Sequence, residues 1–396
     1  MNSKLLKRIK FITGIFIFLL VLEVFYVIYS LFINNTVNLY FDSINAIDSN
    51  SSYYITVGSN NNNDNYYEKA KLTKYNKKRE KIDEKLFNVG YNSVFFGVTI
   101  DNDSIIAVGS YEKNKDDHNN SIRRGIIVKY DENGEEEFFD ELSLLDNSKY
   151  TNVVNVEDGY IVSGQSVYKS TKIGNKSGGA ILSKYDKKGK LIWNKTYGDN
   201  KEAIFNDLLV YDNYIYAVGV DKNNKGIICK YDINGNLIHD IKYDDMDSTG
   251  FRDILYLNNY LYVVGSNNTN ALIGKYDLDC NCIGEVVYKN NSDTRYNKII
   301  SDNDDSIIVI GNIMKNKNNN NKTIDSFDYD GIIGKYNSDL EEISIVTYGE
   351  QYDDYFTDIK YIDNSYLVVG FSSYEDGSYM SKFIRYSDAL KVLEVN

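Results

Sequence analysis

Proline is absent from this chain, tryptophan occurs once, histidine twice and cysteine three times. The histidines, His118 and His239, have no metal-ligand spacing and neither stands beside a plausible nucleophile. A zinc site and a Ser/His/Asp or Cys/His hydrolase therefore have no signature here. An odd number of cysteines fits no disulfide framework, and Cys280 and Cys282, one residue apart, are poorly placed to bridge each other. We read Cys229 as core and the Cys280/Cys282 pair as a substitution in a turn. The lack of proline, beside abundant Asn, Ile, Lys and Tyr, reads as AT-rich coding and carries no structural weight.

Basic charge is also in short supply. Lys and Arg number 44 against 57 Asp and Glu, a formal net charge of −13. Lys4, Lys7, Arg8 and Lys10 sit in the first ten residues, so the rest of the chain is more acidic still. Such a surface repels nucleic acid and anionic lipid. Cations, basic proteins and neutral glycans are the compatible partners.

One long apolar run is present, Phe11 to Ile33, interrupted by Thr13, Gly14, Glu23 and Ser30. As a helix it reaches about 34 Å, enough to cross a bilayer core. The basic flank predicts a cytoplasmic tail (1–10), a signal-anchor helix (11–33), a linker (34–39) and an extracytoplasmic remainder (40–396) in a single-pass cell-membrane protein. No small-x-small cleavage site follows the run and no nearby cysteine offers a lipid anchor, which favours the uncleaved anchor over a signal peptide. Glu23 stands near mid-span, where a carboxylate costs about 2.5 to 3.5 kcal/mol.

The remainder is repetitive. In the stretch from Phe205 to Tyr243, short apolar and β-branched runs alternate with turn residues, which predicts strands over 205–211, 214–219, 226–232 and 237–243. Asp232-Ile233-Asn234-Gly235 supplies the hairpin between the last two. Seven copies share two landmarks: a Gly ending the second strand (58, 109, 164, 219, 265, 311, 370) and a Tyr ending the third (75, 130, 185, 231, 276, 336, 386). From Tyr to the next Gly the interval is 34 residues, and 35 at one junction, whereas from Gly to Tyr it ranges from 11 to 25. Length variation is therefore concentrated in the loop joining strands two and three.

Copies of about 51 residues, each a four-stranded meander with two apolar faces, cannot be stable alone and must stack. Radial closure satisfies both faces, so the expected fold is all-β: a seven-bladed β-propeller of four-stranded antiparallel blades after one transmembrane helix. The chain is expected to open on a first strand (40–47) and end on a fourth (390–395), so that no blade is shared between the termini. The copy Ile181-Leu182-Ser183-Lys184-Tyr185-Asp186-Lys187-Lys188-Gly189-Lys190-Leu191-Ile192-Trp193 resembles the bacterial propeller repeats of SBBP and quinoprotein-like type. Only this copy keeps the Trp, and no quinone-binding set is matched, so no cofactor is carried over. The resemblance implies fold, export and a binding or scaffolding role.

Candidate ligand-binding residues fall in two groups. Five innermost strands open on an aromatic followed two residues later by a polar group: Phe205-Asn206-Asp207, Phe251-Arg252-Asp253 and Phe356-Thr357-Asp358, with Tyr150-Thr151-Asn152 and Tyr296-Asn297-Lys298 in matching places. Strand alternation puts the aromatic and the acid on one side. Asp207, Asp253 and Asp358 then either cap turns or pair with lysines of neighbouring K-Y motifs as structural groups, or form an acidic ring at the channel mouth that binds a cation or a polar ligand. The blade-to-blade connections add Asp245, Asp354, Tyr352 and Tyr355, with Tyr197, Tyr243, Tyr288 and Tyr348, on the face that carries the variable loops. Loops on a rigid scaffold are where binding concentrates; acidic turns that are merely solvated are the plainer alternative. No catalytic or metal residue is assigned. The calcium-like stretch at Asp131 reads better as a hairpin turn.

The expectation for function is a membrane-tethered binding or scaffold propeller, not an enzyme, engaging an envelope or surface protein through that face. The alternative is a propeller that binds or cleaves carbohydrate there. An Asp/Glu pair assembled by folding is invisible in sequence, so a carboxylate glycosidase stays open, while a single tryptophan weighs against sugar stacking.

Overall fold

The computed structural model describes residues 40–61, 67–87, 89–113, 122–143, 147–169, 176–198, 203–243, 249–290, 292–315 and 328–396. Residues 40–396 form one compact unit. The apolar run 11–33 lies outside the described residues, among which no helix is long and apolar enough to cross a membrane.

Seven separate four-stranded antiparallel sheets follow one another, each with its strands hydrogen-bonded in chain order. The innermost strands are Asp42–Ser49, Tyr91–Asp101, Ser148–Val156, Ile204–Tyr211, Thr249–Leu257, Thr294–Ser301 and Asp354–Ile362. The seven-bladed propeller of four-stranded blades is thus the observed fold, and its core consists of seven interfaces. One buried apolar cluster fills each junction: that between blades 3 and 4, for example, joins Ile161, Ala180 and Leu182 to Phe205, Leu208, Ala217 and Tyr231. Within a blade the first-strand aromatic meets the third-strand tyrosine edge-on, as in Phe205–Tyr231 and Phe251–Tyr276, with centroids 6.3 and 6.4 Å apart. The tyrosine landmark of the repeat is therefore a packing residue.

Turns explain the strand ends. The Asp232 carboxylate accepts the N–H groups of Asn234 and Asn236 at 2.9 and 2.8 Å, and Gly235 turns the corner at φ +78°. Asp131 does the same for Asn133 and Glu135, with Gly134 at the corner. In blade 5 the corner is Cys280 at φ +64°, with its side chain buried and Cys282 exposed.

Blade 1 and blade 7 meet by face packing, with no strand shared. The first strand starts at Asp42, later than expected, because the preceding residues serve closure instead. The Tyr40 carbonyl accepts the Tyr379 N–H at 2.8 Å, and Phe41 forms a parallel bridge to Tyr379 in blade 7. At the other end Leu390, at φ +54°, is a turn corner, so the last strand is Val392–Val395. Connections between second and third strands run from two residues (268–269) to fourteen (315–328), whereas the other three classes stay within a narrow range. The variable loops and the blade-to-blade connections share one rim, here called the upper face.

Candidate functional site

Every innermost strand carries a β-bulge at the same place. In blade 4 Phe205 pairs with Gly219 and Asp207 with Val218, leaving Asn206 as the extra residue. The landmark glycine follows from this: a Cβ on Gly219 would sit 1.8 Å from the Ile204 carbonyl oxygen, and one on Gly265 1.8 Å from that of Gly250. The bulge also reverses parity, correcting the expectation that aromatic and acid share a side. Phe205 faces blade 3, whereas Asp207 pairs opposite Val218, whose cluster lies toward blade 5.

The extra residue reaches across to the next blade. Amide nitrogens of Asn45, Asn206 and Asn297 donate to the carbonyls of Phe95, Phe251 and Phe356 at 2.8, 2.6 and 3.0 Å. The hydroxyls of Thr151 and Thr357 donate to Phe205 and Ile44, both at 2.7 Å, the latter bond closing the ring. Five of seven junctions are clasped in this way. At the other two the bulge residue is Phe96 or Arg252, and both line the channel. Arg252 makes no hydrogen bond or ion pair among the described residues, while water reaches it inside the channel.

Asp207, Asp253 and Asp358 lie deeper in the channel and are brought together. Lys298 stands 3.2 Å from Asp253 and 3.8 Å from Asp207, and Asn152 donates to Asp207. Asp253 accepts the Ile299 N–H at 2.7 Å; Asp358 accepts those of Ile47 and Ile359, each at 2.8 Å. Burial, then the charge of Asp253, raises the Asp207 carboxyl well above its ordinary range. Burial raises Asp358 as well, against the pull of Lys298 and Lys360. For Lys298 burial acts downward, but Asp207, Asp253 and Asp358 outweigh it and hold the ammonium above its usual value. These acids therefore tie their own blades to others in the ring. The K-Y lysines serve elsewhere: Lys184 pairs with Asp158, Lys230 with Asp279 and Lys335 with Asp302, at 2.8, 2.9 and 2.8 Å.

Above the acids the upper mouth is concave and has two unlike halves. One is aromatic: Tyr355 packs on Phe371 (5.1 Å between centroids), Phe371 on Tyr379 (5.6 Å) and Tyr379 on Phe41 (5.4 Å). Its acids are Asp42, paired with Lys71, and Glu68 at the rim. The other half holds Arg252 and Arg295, with Lys149 near Phe96, its ammonium 5.8 Å from the ring centroid.

Of the residues expected in the connections, Asp354 instead opens the innermost strand of blade 7 and is buried, accepting the Glu350 N–H at 2.7 Å and the Ser372 hydroxyl; burial raises its pKa. Tyr355 lines the mouth, Tyr352 is half-buried in the connection entering blade 7, and Asp245 lies outside the described residues. Three other tyrosines expected on the binding surface instead pack between blades, Tyr197 on Phe205, Tyr243 on Phe251 and Tyr348 on Phe356. Their rings fill gaps that a connection of fixed length leaves against the next blade. Sequence reading missed the clasp and Arg252, although Asn or Thr between the aromatic and the polar residue in four copies was a visible signal. No group of three His, Cys, Asp or Glu is arranged to hold a metal among the described residues.

No family model matches the sequence, and no curated protein matches it. Among solved structures the ring is similar to the periplasmic gluconolactonase PpgL of Pseudomonas aeruginosa, at 10% identity and TM-score 0.53, covering 87% of this chain and 96% of that one. It is similar also to Sqt1 of Chaetomium thermophilum, at 12% identity and TM-score 0.52, covering 90% and 88%. A prolyl endopeptidase matches at 10% identity and TM-score 0.52, covering 90% of this chain and 56% of its own. Likeness at this identity establishes the propeller fold alone, a fold compatible with binding and with catalysis.

Proposed function

We propose that this protein is a binding propeller, built of SBBP-type repeats, that engages a polypeptide partner through its upper face. The carrying observation is the concave mouth there, where Tyr355, Phe371, Tyr379 and Phe41 form an aromatic wall beside Arg252 and Arg295. A rigid ring below and loops of unequal length around it are what a recognition surface needs. The deep carboxylates support binding over glycosidic chemistry, since Asp253 and Asp358 are occupied by backbone N–H groups and Lys298 rather than free to act on substrate. The apolar run 11–33 and its basic flank support a single-pass anchor that places the ring outside the cell membrane, facing envelope or surface proteins.

The second reading, a carbohydrate-binding mouth, has the same aromatic wall in its favour. A glycan array and a partner capture with the full chain in detergent micelles separate them. The account expects a polypeptide retained by the native chain and lost from Tyr355→Ser, with no specific glycan. Reproducible glycan hits without a polypeptide favour the second reading.

A further inference from the structure

At five junctions the bulge residue ties one blade to the next, so an Asn or Thr at position 252 would be expected to donate to the Tyr296 carbonyl. Arg252 gives up that bond and stands in the channel, with Arg295 and Lys149 as like charges near it and Asp253 and Asp358 lining the cavity below without pairing to it. Burial, then the charge of Arg295, lowers its pKa; burial, then Arg123 and Arg252, lowers that of Lys149. Arg295 has Asp293 at 2.9 Å, but Arg252 and Lys149 have no acidic partner among the described residues. Two neighbouring cations that lack an acidic partner, Arg252 and Lys149, favour an anion brought from outside.

We propose that the upper mouth takes a carboxylate carried on a peptide, with Arg252 as its receptor and the Tyr355–Phe371–Tyr379 wall receiving a neighbouring apolar side chain. The inference deepens the polypeptide-binding reading and rests on it. A guanidinium matches a carboxylate with two parallel N–H donors. The acidic remainder of the surface repels a polyanion, so one acid or a short acidic segment fits and nucleic acid does not. The aromatic rings are packed against one another, Phe41 stacked on Tyr379 and Tyr355 tilted 33° to Phe371, so they offer crevices for an apolar side chain more than flat faces for a sugar. The acid has two sources in a peptide, the chain terminus or an Asp or Glu side chain.

The test measures binding of fluorescent nonapeptide pools to the full chain in detergent micelles, in three forms. One has a free terminal carboxylate and a neutral interior; one is amidated with an internal Asp or Glu; one is amidated and neutral. The acidic forms are expected to bind roughly tenfold tighter than the neutral one, and whichever leads identifies the source. Arg252→Asn, which can restore the clasp seen at Asn206, is expected to abolish the preference with an unchanged or higher Tm. Equal binding of all three pools, or a preference that survives Arg252→Asn, overturns the carboxylate site and leaves peptide binding standing. Silence from every pool overturns both, and binding of sialyllactose with silent peptides assigns the mouth to an acidic saccharide instead.

Discussion

Lys298 and the carboxylates round it show how a charge cluster can be architecture. Its ammonium spans Asp207 and Asp253, and each of Asp253 and Asp358 ends on a backbone N–H of the following blade. Ionisation of Asp207 is disfavoured, since burial and the adjacent Asp253 both oppose its charge. A carboxyl whose pKa is raised on folding holds more protons in the native than in the unfolded chain. Stability therefore falls as pH rises from about 4, the ordinary Asp value, through the raised native one. Asp207→Asn removes that dependence: thermal melts between pH 4 and 8 are expected to show a shallower decline than the native chain, with equal or greater stability at pH 7. An unchanged pH slope in the variant would show that Asp207 is ionised throughout.

At the scale of the element, the innermost strand with its bulge is the functional unit. Gly219 leaves room for the Ile204 carbonyl, the bulge turns Asn206 toward the next blade, and Phe205 and Asp207 go to opposite faces. Gly219→Ala forces that carbonyl away and undoes the clasp with it. The expected cost is about 3 kcal/mol in denaturant melts, against about 1 kcal/mol for Asn206→Ala, which removes only the hydrogen bond. Equal costs would mean that the bulge tolerates a Cβ. This unit also marks what the sequence could and could not disclose. Glycine and tyrosine landmarks recur because packing demands them at fixed places, so blade number, strand order and the variable rim were legible from intervals. The bulge that demands the glycine was not read from it: the glycine marks only a strand end in the intervals, the extra residue is Asn, Phe, Thr or Arg in different copies, and simple alternation put Asp207 on the wrong face. The mouth was legible only in part. Tyr355 was in view because it directly follows the acidic connection into blade 7, while Phe371 and Tyr379, on later strands of that blade, meet it only through folding.

Across the whole molecule, the ring closes between blades that share no strand. The cluster there is small among the described residues, Ile44, Ile47, Tyr54, Leu367 and Val369. Directional contacts supplement it: Thr357 to the Ile44 carbonyl, Asp358 to the Ile47 N–H, Ser381 to Asp42, and Arg79 to Glu394. The aromatic half of the mouth straddles this seam, since Phe41 belongs to the start of the ring and Tyr355, Phe371 and Tyr379 to its end. Closure and the binding surface thus depend on the same residues, and a partner seated there would hold the seam shut.

The claim that one face does the recognising is tested most directly by placing a photoreactive amino acid at Tyr352, on the upper rim, or at Lys188, in an exposed hairpin of the opposite rim. Irradiated in the native membrane, the chain is predicted to form a discrete adduct with a partner polypeptide from position 352 and none from 188. An adduct from 188 alone, or equal adducts from both, would contradict the account.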